Sequence, residues 1–279
     1  MKEMRFILTS DIHNCHQKWF ASSNEERMED YKKYLTQAQE KNKYDASFVL
    51  GDVSLDFWVC HEGGSYLQEV SVSNTDKFMK NIAPSLPQPM YITPGNHEQY
   101  SNEDWMRFTG QTREQIIPFD GVVFVLCDAF SGNLGPDFHS DGTYLPINCD
   151  IIKKALADYP DAMIFLGAHY FDMEKESDEF KKLLLENDRI KGLFMGHDHR
   201  TKVEFTAEDA GCRPLLRTGN FSYSGEKDPL RAFRGWRELI IHEDGSFETY
   251  YFVPAQTFTH NGFTVSITEN KTDYYRSEM

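Results

Sequence analysis

The sequence predicts an α/β fold class from two observations. Short apolar runs typical of buried strands alternate with stretches of helical periodicity, and residues able to bind metals follow directly after several of these runs. The 279 residues fit one large domain or two small ones. Because the chain shows no internal repeat, low-complexity tract or linker composition, we expect one domain over 1–254. The polar tail over 255–279 is predicted to be a loosely packed C-terminal extension.

Short runs of β-branched, aromatic and other apolar residues are predicted as strands. They cover Met4–Thr9, Ala46–Leu50, Met90–Thr93, Val122–Cys127, Met163–Leu166 and Gly192–Met195. Helices are predicted between them over Glu25–Lys41, 75–81, Ile147–Ala157 and Asp178–Asn187. In the first helix, Met28, Tyr31, Leu35 and Ala38 recur at helical spacing, so this apolar stripe belongs to the core.

The helical signal fades after residue 200. There, Glu238–His242 and Phe247–Phe252 flank the turn sequence Glu243-Asp244-Gly245-Ser246, which predicts a β-hairpin. The stretch Ser131–Thr143 is rich in Gly, Pro, Asn and Asp and is predicted as a loop.

The composition excludes several classes of protein. A net charge of −15 argues against nucleic acid and anionic membranes as partners, because both require a basic surface. No apolar run approaches the roughly 20 residues of a membrane-spanning helix. The opening residues MKEMRFILTSD are predicted as a first strand and not as a signal peptide. The five cysteines form no C-x-x-C pair, so we expect no disulfide framework and predict a cytoplasmic protein.

One pattern recurs five times along the chain: a short apolar run ends, and a residue able to bind a metal follows at once. The five segments are FILTSDIH, SFVLGD, MYITPGNHE, MIFLGAH and LFMGHDH. Side chains just beyond strand ends converge on one rim of an open α/β sheet. Gly51, Gly95, Gly167 and Gly196 permit the tight backbone that brings side chains round to that rim. The pattern therefore predicts one shared metal site.

The candidate ligands are four histidines, two aspartates and one asparagine. They are Asp11, His13, Asp52, Asn96, His169, His197 and His199. Residues two apart point to the same side of an extended backbone, which favours joint use of Asp11 with His13 and of His197 with His199. This mixed nitrogen and oxygen set is too large for one ion. It suits two divalent transition-metal ions, with Mn, Fe, Zn, Ni and Co as the candidates.

The motifs D-x-H, G-D, G-N-H-E, G-x-H and G-H-x-H occur in this order from residue 11 to residue 199. Together they resemble the motifs of the calcineurin-like metallophosphoesterases. The resemblance implies a four-layer α/β/β/α sandwich of two mixed β-sheets flanked by helices. It assigns one metal to Asp11, His13 and His199. It assigns the other metal to Asn96, His169 and His197, with Asp52 bridging, and it implies that His97 contacts the phosphate and protonates the leaving oxygen.

These assignments imply a binuclear-metal-dependent hydrolase of a small-molecule phosphodiester or phosphomonoester. A hydroxide that bridges two cations is a nucleophile near neutral pH, and a histidine can supply the proton that the leaving alkoxide needs. His97 has an alternative role as a cap of a helix after G-N-H-E. A nuclease is disfavoured by the acidic charge, and a non-catalytic scaffold of this fold should have lost ligands or the proton donor.

Two departures from the family pattern are visible. The segment GDVSLD lacks the Asp-Arg-Gly run of the phosphoprotein-phosphatase branch, which argues against a protein phosphatase. Ala168 precedes His169 where many relatives carry a hydroxyl residue, and this leaves the ligand itself intact.

Four further residues are candidate substrate contacts. Asn14 and His16 follow the first motif, and Arg217 and Asn220 lie in LLRTGNFS after a late strand. Specificity is expected in the loops over 14–20, 54–75, 99–118 and 131–146. The sequence leaves the natural ester, the native metal and the oligomeric state open.

Overall fold

The computed structural model describes residues 1–15, 24–58, 73–134, 141–222, 234–260 and 263–277. In these ranges the helices are α1 (Asn24–Lys41), α2 (Asn74–Asn81), α3 (Asn102–Thr109), α4 (Cys149–Asp158) and α5 (Asp178–Glu186). Short 3₁₀ turns lie at Ala83–Ser85, Ser131–Asn133 and Glu208–Ala210.

Up to β7 the strands alternate with these helices, except that β4 and β5 are consecutive. After β7 the strands follow one another without an intervening α-helix in the described ranges. They are β1 (Met4–Thr9), β2 (Ala46–Leu50), β3 (Met90–Thr93), β4 (Gln115–Phe119), β5 (Val122–Leu126), β6 (Met163–Gly167), β7 (Ile190–Met195), β8 (Val203–Phe205), β9 (Pro214–Arg217), β10 (Trp236–Ile241), β11 (Phe247–Val253), β12 (Gln256–His260), β13 (Phe263–Ile267) and β14 (Asn270–Arg276). Every strand and helix predicted from the sequence is present, with small shifts at the ends.

Two six-stranded mixed sheets carry the fold. The first has the order β14-β11-β10-β1-β2-β3, in which β1, β2 and β3 are parallel. The second has the order β4-β5-β6-β7-β9-β8, with a parallel centre and antiparallel strands at both edges. The predicted hairpin is confirmed by the antiparallel pairing of β10 with β11. β12 and β13 form a separate two-stranded ribbon.

The alternation of side chains along each strand produces the layers. Phe6 and Leu8 of β1 face a core between the two sheets, where Phe124 packs edge-on at 4.9 Å from Phe6. Ile7, between them, faces the opposite side and joins Leu35 of α1 in a second core. A third core lies between the second sheet and α4 and α5. Helix, sheet, sheet and helix therefore stack in four layers, which confirms the predicted architecture.

Two elements differ from the sequence-based expectation. α3 lies inside the stretch 99–118 that was predicted as a loop. The Ser101 side chain caps its first turn by accepting a hydrogen bond from the Asp104 N–H, and Gly110 ends the helix in the left-handed region. At eight residues, this helix is too short to show a clear periodicity. The tail is not loose throughout, because β14 pairs with β11 as the edge strand of the first sheet. The domain limit at residue 254 stays a prediction.

Within the described ranges, no helix combines the length and the apolar character that a bilayer crossing requires. The four cysteines in these ranges are free.

The buried guanidinium of Arg237 ties the two sheets together near the ends of β9 and β10. It is fully buried, and it donates to the carbonyl oxygens of Arg217 at 2.7 Å and Asp273 at 3.2 Å, and also to that of Thr201. Burial lowers its pKa to about 10, so the group remains charged at neutral pH.

Replacing Arg237 by methionine should lower the free energy of unfolding by about 3 kcal/mol, because several buried carbonyl groups lose their donor. Urea denaturation followed by circular dichroism measures the change. The matched control is Arg107→Met on α3, where the side chain is 64% exposed and pairs with Asp104. That control should change stability by less than about 0.5 kcal/mol. Equal effects of the two substitutions would contradict the structural role of Arg237.

Candidate metal centre

The structure brings all seven predicted ligands together at one rim of the sandwich, where β1, β2, β3, β6 and β7 end. The aspartate and histidine ligand atoms, together with those of His97, fall into three overlapping clusters, each with all atoms within 4.8 Å of one another. The clusters are Asp11 with His13 and His199, His13 with Asp52 and His97, and Asp52 with His169 and His197. The rim therefore joins strand ends from both sheets.

The first group centres on Asp11. Its Oδ1 atom lies 3.2 Å from His199 Nε2 and 3.9 Å from His13 Nε2. Oδ1 is buried and accepts no hydrogen bond within the part of the chain that the structure describes. A buried carboxylate oxygen in that position is costly unless a cation or donor compensates it. The arrangement fits a metal ion held between these three side chains.

The second ligand group consists of Asn96, His169 and His197, and it centres on the side-chain oxygen of Asn96. His169 Nε2 and His197 Nδ1 each lie 3.0 Å from this oxygen and 3.3 Å from each other. His169 Nδ1 lies 2.8 Å from the Leu50 carbonyl, which can only accept, so Nδ1 carries a hydrogen and donates it. That bond turns Nε2 toward the centre, as the outer hydrogen bond of a metal-binding histidine does.

Asp52 lies between the two groups. Its Oδ2 atom is 3.1 Å from His169 Nε2 and 3.5 Å from His13 Nε2, and its Oδ1 atom accepts the backbone N–H of His97 at 3.1 Å. A single carboxylate therefore lies beside candidate ligands of both groups.

The charges of the centre perturb one another strongly. Burial would raise the pKa of Asp52, but the neighbouring histidines hold it well below its usual range. For His169, burial would lower the pKa, but the carboxylates of Asp52 and Asp11 raise it to about 10. Burial lowers the pKa of His13 to about 4, despite the same carboxylates. Two buried carboxylates thus draw positive charge into the centre, and a divalent cation supplies it without protonating the ligands.

The backbone at the candidate ligands is in the left-handed region. The prediction of an extended backbone for the pair Asp11 and His13 and for the pair His197 and His199 is therefore wrong. Five ligands have positive φ angles between 51° and 71°, namely Asp11, His13, Asp52, His197 and His199. This conformation costs roughly 1–2 kcal/mol per residue outside glycine. Ile12 is fully buried between Asp11 and His13, so core packing holds the turn in place. The strain is concentrated where the ligands must point inward.

At two positions in the motifs, steric contacts explain why the residue is glycine. A Cβ at Gly95 would lie 2.1 Å from Asp52 Oδ1, and a Cβ at Gly196 would lie 2.5 Å from Asp11 Oδ2. Any side chain at either position would displace a carboxylate of the centre.

Glu98 is a positioning residue that the sequence analysis did not single out. Its fully buried carboxylate accepts the backbone N–H groups of Asp52, Gly95 and Ser54, each at 2.8 Å. It therefore fastens the loop after β2 to the loop after β3. Burial, together with the nearby Asp52 charge, raises its pKa to about 8. The sequence signal that could have indicated this role is the position of Glu98 at the end of the G-N-H-E motif.

His97 faces the centre from the G-N-H-E loop. Its Nε2 atom lies 3.7 Å from Asp52 Oδ2, and its Nδ1 atom lies 3.5 Å from Oδ1 of Asp141, an exposed residue that the sequence analysis also missed. The alternative role as a helix cap is wrong, because the cap of α3 is Ser101. His97 thus lies at the site and is not the N-cap of the helix that follows.

The candidate substrate contacts occupy structural hydrogen bonds. Asn14 donates to the Asn74 carbonyl at 2.8 Å, and the Asn220 side-chain oxygen accepts the Ser222 N–H at 3.2 Å. Arg217 binds Glu204 Oε2 through Nε at 2.9 Å and also donates to Asp198, which lies between His197 and His199. These bonds account for the burial of the three side chains. His16 lies outside the described residues, and substrate contact by the four stays a prediction.

Comparison with known proteins agrees with this fold. The calcineurin-like phosphoesterase family matches residues 4–201. No curated protein matches the chain. Among solved structures, the purple acid phosphatase PPD1 from yellow lupin (Lupinus luteus) seeds has a TM-score of 0.55 at 13% identity, over 90% of this chain and 52% of that chain. This chain therefore spans about half the length of that phosphatase.

Two further structures are similar. GAP50, the anchor in the inner membrane complex of Plasmodium, has a TM-score of 0.52 at 13% identity, over 98% of this chain and 90% of that chain. A single mutant of Vps29 from Entamoeba histolytica has a TM-score of 0.42 at 13% identity, over 96% of this chain and 99% of that chain. At these identities the likeness concerns the fold alone. The family match spans more than half of the chain and all five motifs, so the chain belongs to the calcineurin-like phosphoesterase family.

Proposed function

We propose that this protein is a binuclear-metal-dependent hydrolase of small-molecule phosphate esters, either monoesters or diesters. The observation that carries the proposal is the convergence of seven nitrogen and oxygen ligands in two groups, with the Asp52 carboxylate in contact with both. A paired site of this kind is typical of enzymes that transfer phosphoryl groups to water.

The ligand set supports two divalent transition-metal ions, and Mn, Fe, Zn, Ni and Co all suit it. Asp11, His13 and His199 would hold one ion, and Asn96, His169 and His197 the other, with Asp52 shared. When bound, the ions would lower the pKa of a water molecule and neutralise the phosphoryl oxygens.

His97 is the proposed proton donor. An alkoxide is a poor leaving group unless it is protonated as the P–O bond breaks, and histidine is the residue most often used for this transfer. His97 Nε2 faces the centre, while Nδ1 lies toward Asp141 Oδ1. Asp141 is 66% exposed, so it helps to orient the ring but is strongly screened by solvent.

A non-catalytic module is the competing proposal, because GAP50 shares the fold and is described as an anchor. Such a module has no need of a complete ligand set or of an unassigned histidine beside it, and this chain has both. The net charge of −15 disfavours a nuclease. The free cysteines in the described ranges support our proposal of a reducing, cytoplasmic setting.

The metal-free protein should bind two manganese or zinc ions per chain, and binding should release protons. Because His169 has a pKa raised to about 10, it is protonated at pH 7 and must lose that proton to bind a metal. The apparent affinity should therefore rise with pH, by about tenfold per pH unit for each proton released. Isothermal titration calorimetry in buffers of different ionisation enthalpy measures both quantities.

His169→Asn should lower the stoichiometry to one ion, whereas the same substitution at His242 should leave it at two. His242 contacts Glu3 at 3.3 Å on the surface and is a matched control. Unchanged metal binding by His169→Asn would contradict the ligand assignment.

The metal-loaded protein should hydrolyse p-nitrophenyl phosphate or bis(p-nitrophenyl) phosphate. His97→Asn should keep its metals but lose about 10²–10⁴-fold in kcat, the usual contribution of a general acid. The loss should be larger for phenyl phosphate than for p-nitrophenyl phosphate, because p-nitrophenolate needs little protonation as it leaves. Steady-state kinetics on phenyl phosphate and p-nitrophenyl phosphate measures the two losses in kcat, with His242→Asn as the control.

An equal loss of kcat on these two esters would argue against proton donation by His97.

A further inference from the structure

Trp58 is an aromatic residue beside the proposed proton donor. Its ring centroid lies 6.0 Å from that of His97, with the two planes at 61°. Trp58 belongs to the loop after β2 that also carries Asp52, and it is the first residue after Asp52 that is partly exposed.

The loop holds this ring in a fixed place. Trp58 packs against the fully buried Cys15 and Leu55, and its backbone N–H donates to the Leu55 carbonyl at 3.1 Å. The two residues before it are buried as well. Phe57 lies edge-on to Tyr100 at 4.8 Å, and Asp56 accepts the Tyr100 hydroxyl and the Asn74 N–H. A ring supported in this way offers a stacking surface without an entropic cost of ordering.

The position of His97 indicates which part of a bound substrate would contact Trp58. The group that protonates the leaving oxygen must come within hydrogen-bond reach of it, so the leaving alcohol lies beside His97. A ring adjacent to His97 is therefore adjacent to the organic part of that alcohol. Two other aromatic rings, Tyr170 at 4.6 Å and Phe130 at 6.0 Å between centroids, lie beside His197 and so flank the second ligand group.

We propose that Trp58 is a specificity-determining residue that selects phosphate esters whose leaving alcohol carries a planar aromatic ring. This inference rests on the proposed hydrolase function and names the substrate class of the same site. In the reaction, water attacks phosphorus and releases a proton to solvent, the bond from phosphorus to the ester oxygen breaks, and the departing oxygen takes a proton from His97 to form the free alcohol. Solvent then returns a proton to His97. Trp58 takes no part in these bond changes; it contacts the ring of the alcohol.

Benzyl phosphate and n-butyl phosphate provide the test. Both leave as primary alkoxides and make the same demand on His97, but only one carries a ring. Aromatic pairing predicts that the metal-loaded protein prefers benzyl phosphate by about three- to tenfold in kcat/KM. Trp58→Leu should abolish that preference while retaining hydrolysis of n-butyl phosphate, and Trp58→Phe should retain most of it. Benzylphosphonate and n-butylphosphonate, used as competitive inhibitors, should show the same ratio in their inhibition constants.

Tyr170→Leu is the matched control, because it removes an aromatic ring from the other side of the centre and should leave the benzyl-to-butyl ratio unchanged. Equal kcat/KM for the two esters in the wild-type protein, or an equal loss on both in Trp58→Leu, overturns the inference and leaves the hydrolase proposal intact. Absence of turnover of every ester, including the p-nitrophenyl esters, by protein shown to contain its metals overturns the hydrolase proposal itself.

Discussion

The carboxylate of Asp52 is the contact on which the rest of the centre depends. Its Oδ2 atom lies beside a histidine of each group, His13 on one side and His169 on the other. A buried carboxylate is stable only if positive charge or donors surround it. The fold meets this demand in two ways: ring nitrogens face Oδ2, and the His97 backbone N–H is donated to Oδ1. Two buried carboxylates so close together are costly without compensating positive charge, and this gives the site affinity for divalent cations.

The protein holds this unfavourable group in place by backbone contacts. Five ligands are in left-handed conformations that their side chains disfavour, and the bonds that maintain them come from neighbouring motifs. Glu98 fixes the Asp52 N–H to the loop after β3, and the His197 N–H donates to Asp11 Oδ2 at 3.0 Å. Each motif thus supports a ligand of another motif. The strain is maintained because the two sheets and their loops are connected at several points, one of which is the fully buried Arg237.

The parts of the site that could be predicted from the sequence are those encoded locally. A strand followed by a ligand is a contiguous pattern, so the ligand set and the four-layer fold could be predicted from the motifs and the resemblance they support. The left-handed turns were missed because spacing gives the separation of Asp11 and His13 but not the path between them. Asp141 was missed because it comes from a distant loop and carries no motif. Glu98 was within a quoted motif, but its three backbone donors exist only once the loops after β2 and β3 lie side by side.

The loop after β2 carries both Asp52, a candidate metal ligand, and Trp58, the proposed specificity-determining residue. Its first part, from Gly51 to Phe57, is buried and sets the position of Asp52, so substitutions there disturb the charge balance of the whole centre. Trp58 follows directly and is partly exposed. Its packing on Leu55 and its backbone bond to the Leu55 carbonyl connect the aromatic ring to the same buried segment that positions Asp52. Under the proposed function, substitution at Trp58 alone would change the selectivity for the leaving alcohol, with little effect on the chemistry at the metals.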